Sequence, residues 1–540
     1  MGRATRTGGA TRGEAACPGE GILRIFSVLP LVALGVLAAA AGPLQGQGYR
    51  VDLDARMQGV SYRGWQLNSI PIGSVVTGSD GLLYTSDGIG VTCLAGDSVC
   101  TYYTAGDKIS ALPASLVADF SIWNIGVRGL RLEGNARVVT DFEDGPVQNQ
   151  AANDVQPAWP GAQPELQVAE AYLAYDRGWV SGSAGRMTSV SRFGYIGYDG
   201  ARVRVAEPKG RVGVTAGYGL SLARGALVPW TDASLNPLAE YRPGDREKIM
   251  GFDLHWNLPV VRGRVLYEKE WGTDSSGVSL TSSELVGGDL TLRPHPSVTL
   301  SGGLDYDLAW GSIGNAEGSL TALLPKRFGN VTLGGRRYRP RFPLWSIWSA
   351  FSPVAYNAYF GQIGLSPIPQ VQLRGRLENY SYEETGTSTT LVRVDSDGWR
   401  YGLGATYRYS PNLHATLDYQ AGLGPGAQAL TIDGGVFWRP LPRLGLRGSA
   451  AYIERSLELR YNDASLWQLG LDADAAVYRN LRAFGGAWYL NETRDRTVDA
   501  AGFDWNQVRF HVGLRYGFGS TVDRASLPPA ILRIPEGGAR

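Results

Sequence analysis

The stretch 508–518, V-R-F-H-V-G-L-R-Y-G-F, is the clearest structural signal in the sequence, because apolar and polar residues alternate along its whole length. The apolar positions are Val508, Phe510, Val512, Leu514, Tyr516 and Phe518, and the others are Arg509, His511, Gly513, Arg515 and Gly517. A period of two residues is that of a β-strand and not of a helix. A tilted strand of about this length crosses a lipid bilayer, although a half-buried strand of a soluble sandwich shows the same alternation.

This stretch resembles the closing strand of Gram-negative outer-membrane β-barrels, which commonly ends in an aromatic residue, as Phe518 does here. The resemblance implies a transmembrane barrel whose apolar face meets lipid and whose aromatic residues lie at the membrane interface. The chain departs from that group in one respect, because 22 residues follow Phe518, whereas the strand usually ends the chain.

Composition is compatible with one large barrel. The chain has 540 residues, 73 of them glycine, and 44% of the residues are apolar, which suits strands that are polar on one face. The formal net charge is +1, so overall charge gives no electrostatic case for a nucleic-acid partner.

Residues 1–47 are predicted to be a signal peptide. Basic residues precede an apolar run at 25–41, and small residues follow it. This order predicts cleavage between about Ala41 and Gly48. A membrane anchor is the alternative, but the run is shorter than a spanning helix and contains Pro30. An exported chain without helical spans can enter a membrane only as a closed barrel.

Alternating runs recur through the rest of the chain and predict one all-β transmembrane barrel at 48–518. An even number of antiparallel strands is typical of bacterial single-chain barrels, and 22 runs are predicted here. The runs are 49–63, 116–126, 128–142, 166–176, 178–188, 198–206, 210–221, 248–258, 260–272, 283–293, 296–310, 314–324, 328–340, 356–366, 369–384, 395–410, 412–421, 428–438, 442–456, 465–478, 480–494 and 504–518.

The connections between runs are short after even-numbered runs and mostly long and polar after odd-numbered runs. A transmembrane barrel has this asymmetry, with short turns in the periplasm and long loops outside the cell. A soluble sandwich or propeller has no reason to segregate its loops in this way. The longest connection, 64–115, is therefore predicted to be an extracellular loop, and the tail 519–540 is predicted to lie in the periplasm.

The charged faces of the runs are predicted to point into the barrel, because an arginine facing lipid at mid-depth costs ~2–4 kcal/mol. Such a set of arginines either gives the lumen a field that selects ions or forms ion pairs that stiffen the wall. The predicted lumen-facing residues are Arg131, Arg137, Arg374, Arg376, Glu378, Arg400, Arg408, Arg509 and Arg515.

Two features lie outside the strand pattern. Cys93 and Cys100 are predicted to form a disulfide in an oxidising compartment; a metal pair is the alternative, but no further ligand is near. The stretch 341–355 is unusually apolar for an external loop, and its Trp345, Trp348 and Phe351 either constrict the lumen, contact a partner or pack at the rim.

A second, local resemblance supports the class of protein and no particular substrate. Residues 170–187, ending in G-R-M, are followed by Y-D-G-A-R-V at 198–203. This order resembles a pattern in substrate-specific porins and polysaccharide-export barrels, and it covers about 35 of the 540 residues.

The sequence offers no enzyme motif. Its four histidines lie in no Ser-His-Asp or metal-ligand spacing, and no c-type haem or phosphate-binding motif is present, so neither a cofactor nor catalysis is predicted.

The predicted function is an outer-membrane channel for passive diffusion of small hydrophilic solutes, anions among them. One alternative is a sheath barrel that encloses a partner such as a multihaem cytochrome. Another is an outer-membrane transporter or export barrel; TonB-dependent transporters also have 22 strands, but they carry a plug domain for which this chain has no room. The predicted partners are outer-membrane lipid, small hydrophilic solutes and a periplasmic or lumenal protein.

Overall fold

The stretch 508–518 belongs to the strand that closes an antiparallel β-barrel, as the sequence predicts. Strand Trp505–Gly519 pairs on one side with Leu481–Arg494 and on the other with the first strand, Gly48–Pro71. At this seam Val51 pairs with Phe518. Because the last strand pairs with the first, the barrel has no free strand edge there.

The computed structural model describes residues 48–520 apart from several gaps. The gaps are 79–80, 94–95, 97, 142–147, 150–153, 156–164, 225–245, 274–277, 326–327, 340–353, 384–396, 425–428, 456–463, 479 and 495–504. The predicted signal peptide 1–47, nearly all of the tail 519–540, and Trp345, Trp348 and Phe351 lie outside the described residues.

The described part of the chain consists almost wholly of strands. The first fourteen are β1 (Gly48–Pro71), β2 (Val76–Thr77), β3 (Leu83–Tyr84), β4 (Val99–Ala111), β5 (Pro113–Trp123), β6 (Leu130–Asp141), β7 (Gln148–Asn149), β8 (Asp154–Val155), β9 (Glu165–Arg177), β10 (Val180–Ser191), β11 (Gly194–Ala206), β12 (Val212–Arg224), β13 (Lys248–Asn257) and β14 (Val261–Thr273). The others are β15 (Ser279–His295), β16 (Val298–Asp307), β17 (Ser312–Leu323), β18 (Gly329–Tyr338), β19 (Tyr356–Ile368), β20 (Val371–Tyr382), β21 (Asp397–Ser410), β22 (Leu413–Leu423), β23 (Ala429–Leu441), β24 (Leu444–Arg455), β25 (Ala464–Tyr478), β26 (Leu481–Arg494) and β27 (Trp505–Gly519).

The barrel has 22 strands, which confirms the predicted fold class. β4 and β5 lie in one line, separated by Leu112, and together they pair with β1 along its whole length. The short strands β2, β3, β7 and β8 form two small sheets apart from the barrel. Within the described residues, the helical element is a 3₁₀ turn at Ile72–Ser74, and no helix is long and apolar enough to cross a membrane.

The predicted loop 64–115 is wrong in its bounds. β1 continues to Pro71 and β4 begins at Val99, so the first hairpin is much longer than the alternating runs 49–63 and 116–126 indicate. The extra length is stabilised by cross-strand hydrogen bonds, which do not require strict apolar alternation. The connection between the two strands is therefore 72–98.

Cys93 and Cys100 are joined by a disulfide whose Cα atoms are 4.3 Å apart, and Cys100 is fully buried. The bond closes a stretch of only a few residues next to the start of β4. Constraining so short a loop removes little entropy from the unfolded chain.

Reduction of this disulfide is therefore expected to leave the barrel folded. The measurement is the heat-dependent shift in gel mobility of the refolded protein, with and without a reductant that reaches the lumenal and external loops. A reduced sample that migrates as unfolded protein without heating would contradict the local role of the bond.

Many of the barrel strands have one face of exposed apolar side chains and one face of interacting polar side chains. On β20, Leu373 and Leu377 are exposed, whereas Arg374 forms an ion pair with Asp418, two strands away on β22. Side chains two strands apart converge on the concave side of a curved sheet and diverge on the convex side. The ion-paired face is therefore the inner face of the barrel, and the apolar face is the outer one.

Candidate functional site

A row of four charged residues and one glycine crosses the inner face of five neighbouring strands at one level. The antiparallel register places Arg264 of β14 beside Asp289 of β15, and then Gly303 of β16, Glu317 of β17 and Arg336 of β18. Directly opposed residues on one face of a sheet are close enough for their side chains to interact. We call these five residues the charged row.

Three arginines surround the carboxylate of Glu378 on β20, next to one end of the charged row. Nη2 of Arg336 donates to both carboxylate oxygens at 2.8 and 3.0 Å, Nη2 of Arg376 donates at 2.6 Å, and Nη1 of Arg400 donates at 3.0 Å. Ala358 lies between Arg336 and β20, and its small side chain lets Arg336 reach across β19. We call Arg336, Arg376 and Arg400 the arginine cluster.

Aromatic rings hold the guanidinium groups of the arginine cluster in place. The Arg400 guanidinium lies 4.2 Å from the ring centre of Tyr380, and Arg336 lies 5.6 Å from that of Tyr356. The rings of Tyr356, Tyr380 and Tyr382 also contact one another, with centres 5.8–6.4 Å apart. Attraction between a guanidinium and a ring face stabilises the cation and restricts its orientation.

The arginine cluster carries more positive charge than its buried partner neutralises. The Glu378 side chain is 0% exposed, whereas the three arginine side chains are 30–40% exposed. Among the hydrogen bonds of the described residues, three guanidinium groups share this one carboxylate, so the cluster has two more positive charges than negative ones. Guanidinium groups bind carboxylates and phosphates well, because their donors match two acceptor oxygens.

The residues 187–197 form a hairpin that leaves the barrel wall, and we call them the inner hairpin. β10 pairs with β9 only as far as Arg186, while β11 pairs regularly with β12 from Tyr198, with one further pair at Ile196 after a bulge. Beyond these points the two strands pair with each other up to Ser191 and Gly194. The predicted runs 178–188 and 198–206 leave 189–197 as a connecting loop; that prediction is wrong, because the strands continue to a turn of two residues.

The tip of the inner hairpin contacts the inner face of β15–β17, several strands away around the wall. Nη1 of Arg192 donates to Asp289 at 2.6 Å and to Glu317 at 3.1 Å. The guanidinium covers Gly303, because a Cβ at that position would lie 2.1 Å from Nη1. Asp289, Gly303 and Glu317 are successive members of the charged row, so they form a notch with a carboxylate on each side; we call it the acidic notch.

Apolar contacts fill part of the space under the inner hairpin. Met187, Ile196 and Tyr198 of the hairpin region pack with Ile249 of β13 in a buried cluster. A cavity of about 150 Å³ remains beside them, lined by Phe193, Leu266 and other residues of the hairpin and wall. The hairpin is thus folded inward against the wall and does not extend from the rim.

The residues that were predicted to face the lumen lie at several separate places in the barrel. Arg376, Glu378 and Arg400 come together in the arginine cluster. The others have local partners: Arg374 pairs with Asp418 at 2.8 Å, Arg131 with Glu133 at 3.5 Å, Arg515 with Asp54 at 2.6 Å, Arg509 with Gln507 at 2.5 Å and Arg408 with Gln372 at 3.4 Å, while Arg137 lies in register between Val117 and Gln167.

Sequence reasoning missed Arg336, Arg192 and the acidic notch. Arg336 is followed by a second arginine, so the alternation of β18 did not single it out. Arg192 fell in the predicted loop, and its partners are 97 and 125 residues away in the chain. Gly303 lies between Asp289 and Glu317 of the two adjacent strands. This arrangement can be recognised only when the register of the strands is known.

Among solved structures, 309 chains are similar to this chain, and they include siderophore receptors and a BenF-like porin. A mutant of the ferric enterobactin receptor PfeA from Pseudomonas aeruginosa is 10% identical with a TM-score of 0.48, over 87% of this chain and 80% of that one. OccAB4 from Acinetobacter baumannii is 10% identical with a TM-score of 0.36, over 89% of this chain and 100% of that one.

A BenF-like porin from Pseudomonas fluorescens Pf-5 is 11% identical with a TM-score of 0.35, over 89% of this chain and 100% of that one. At these identities and TM-scores the likeness does not bear on function. The chain matches no protein-family model and no curated protein.

Proposed function

We propose that this protein is an outer-membrane β-barrel that forms a channel for passive diffusion of small hydrophilic solutes, with a preference for anions. The arginine cluster carries the anion preference, because three half-exposed guanidinium groups share one buried carboxylate on the inner face. In the low-dielectric wall of a barrel, uncompensated charge raises the local concentration of counter-ions. The expected solutes are small carboxylates, phosphates and inorganic anions.

Embedding in a membrane is supported by the outer face of the closing strand. Large apolar side chains are exposed along the length of β27, namely those of Val508, Phe510, Val512, Leu514 and Tyr516. Contiguous apolar exposure of this extent marks contact with lipid or protein. The pairing of β27 with both β26 and β1 also satisfies its backbone groups, as an apolar solvent requires.

The conductance of the refolded barrel in a planar bilayer tests the channel proposal. We expect ion conduction, with a reversal potential in a potassium chloride gradient that indicates preference for chloride. The preference should fade at high salt, because the Debye length falls from ~10 Å at 0.1 M to ~3 Å at 1 M. A folded barrel without conductance would contradict the proposal and favour a sheath that encloses a partner.

Replacing Arg336 and Arg376 together with glutamine is expected to shift the reversal potential toward cations. The change removes the excess charge of the cluster, while Arg400 remains paired with Glu378. The control is Arg482→Gln with Asp474→Asn, which removes an exposed 2.7 Å ion pair elsewhere on the wall without changing net charge. Equal shifts in both double variants would show that the cluster does not set the selectivity.

A further inference from the structure

We propose that the inner hairpin 187–197 is a movable strap inside the barrel, held closed by Arg192 in the acidic notch. The notch formed by Asp289, Gly303 and Glu317 is a binding site for a guanidinium group, and Arg192 is its resident occupant. Release of Arg192 lets the strap swing away from strands β13–β17 and uncovers the surface beneath it. The strap itself does not depend on the proposed channel function, although its effect on solute passage does.

The base of the strap is fixed to the wall by charged hydrogen bonds. Arg186 donates to Asp199 across the hairpin at 2.7 and 2.9 Å and to the carbonyl of Val168 on β9 at 3.1 Å. Arg246, just before β13, donates to the same Asp199 at 2.7 Å. Backbone pairing with β9 ends at Arg186, and one side-chain hydrogen bond, from Thr188 to Glu170 of β9, lies just beyond it, so the strap can pivot about this region.

Beyond the clamp, the strap lacks the continuous ladder of backbone hydrogen bonds that fixes the other barrel strands. Its contacts with β15–β17 are made by the two residues of its turn, Arg192 and Phe193. The Phe193 ring lies against β15, because a Cβ at Gly287 would be 2.9 Å from the ring. A few side-chain contacts can break without disturbing the wall, whereas a backbone ladder breaks cooperatively.

The acidic notch fits a guanidinium group in shape and charge. The two carboxylates belong to strands β15 and β17 and stand on either side of Gly303, in direct register. Glycine at the centre leaves the space that the guanidinium fills, because any larger residue would place its Cβ against Nη1. In this arrangement a single nitrogen, Nη1, donates to both carboxylates, so the notch holds the tip of the guanidinium group.

Arg192 is not fully satisfied in the closed position. Its side chain is only 5% exposed, yet neither Nε nor Nη2 has a hydrogen-bond partner among the described residues. A buried donor without a partner weakens the state that contains it. The side chains of Asp289 and Glu317 are 45% and 53% exposed, so solvent and ions can reach their contacts with Arg192; we call these contacts the latch. These features favour a latch that opens and closes over one that is permanently shut.

The experiment measures access to a cysteine on the buried side of the strap. Ile196 is 2% exposed and packs against Ile249, so Ile196→Cys reports departure of the strap from the wall. The full chain is refolded with Cys17→Ala, so that the one free thiol is at position 196, and it is labelled with a membrane-impermeant maleimide. Arg192→Ala is expected to raise the labelling rate about tenfold, the effect of losing a charge-assisted hydrogen-bond pair.

Two controls separate opening of the strap from loosening of the barrel. Ala358 is 1% exposed on the inner face of β19, two strands beyond Glu317 and outside the strap, and Ala358→Cys should stay slow to label in both backgrounds. Arg482→Ala removes an exposed ion pair elsewhere on the wall and should leave labelling at position 196 unchanged. An unchanged rate at 196 in Arg192→Ala, or an equal rise at 358, would overturn the proposal.

A change on the wall side of the latch gives an independent test. Gly303→Val fills the acidic notch and is expected to increase labelling at position 196 as much as Arg192→Ala does. Labelling that rises only in Arg192→Ala would overturn the assignment of the notch as the latch site. Conductance is recorded in parallel: faster labelling in a barrel that does not conduct supports the strap and contradicts the channel proposal alone.

Discussion

Replacing Glu378 with glutamine is expected to lower the free energy of unfolding by about 3 kcal/mol, the low end of the range for breaking a buried ion pair from one side. Glutamine has nearly the same shape, so the change removes charge without leaving a cavity. The three guanidinium groups of the arginine cluster would then face one another without a counter-charge. Their 30–40% exposure lets them turn partly toward water, which is why the low end applies.

The measurement is equilibrium urea unfolding of the barrel refolded in lipid vesicles, followed by tryptophan fluorescence. The matched control is Asp474→Asn, which removes the carboxylate of an ion pair whose two side chains are 43% and 54% exposed. An exposed pair contributes about 0–1 kcal/mol, so the control should be nearly neutral. Similar losses in both variants would contradict the structural role assigned to Glu378.

Strand number and strand location could be predicted from the sequence because they depend on local alternation. The pleat places successive side chains on opposite faces of the sheet. The alternation within a run such as 399–409 therefore predicts which of its side chains face lipid. Each predicted run coincides with a barrel strand within a few residues, and the largest difference is the first hairpin, where β1 extends to Pro71. That extension lies beyond the alternating part and is supported by pairing with β4.

The composition of the inner sites could not be predicted, because it depends on register between strands. Arg374 meets Asp418 over Gly404, whose absent side chain leaves room: a Cβ there would lie 2.3 Å from Asp418 and 3.0 Å from Arg374. The acidic notch repeats this arrangement around Gly303. A glycine on the middle strand thus allows contact between strands that are not neighbours. The sequence shows the glycine and the charges, and only the register brings them together.

The same distinction explains why Arg192 was not among the predicted lumen-facing residues whereas Arg376 and Arg400 were. Arg376 and Arg400 lie inside alternating runs, so the face on which each lies follows from its odd or even position in the run, which we call its parity. Arg192 lies at a turn, where parity no longer assigns a face, and its position depends on the inward bend of the whole hairpin. Loss of pairing with β9 beyond Arg186 produces that bend, and no local pattern in the sequence indicates it.

An arginine at position 417 is expected to destabilise the barrel in a lipid bilayer by ~2–4 kcal/mol, the cost of that side chain on the lipid face near mid-depth. Leu417 is 57% exposed on the outer face near the middle of β22. The adjacent change Thr416→Arg places the same side chain on the inner face of the same strand. There it lies close to Asp418 and Asp433, which oppose each other across β22 and β23, so it should be nearly neutral.

Both variants add one positive charge at neighbouring positions of the same strand. The difference between their free energies of unfolding therefore reports which face of the sheet the arginine occupies. Unfolding is compared in lipid vesicles and in detergent micelles. The penalty at position 417 should be smaller in detergent, because a micelle lets water and head groups approach the charge. If Leu417→Arg is tolerated in vesicles as well as Thr416→Arg is, the outer face does not contact hydrocarbon, and the apolar rows of this barrel must instead be covered by protein.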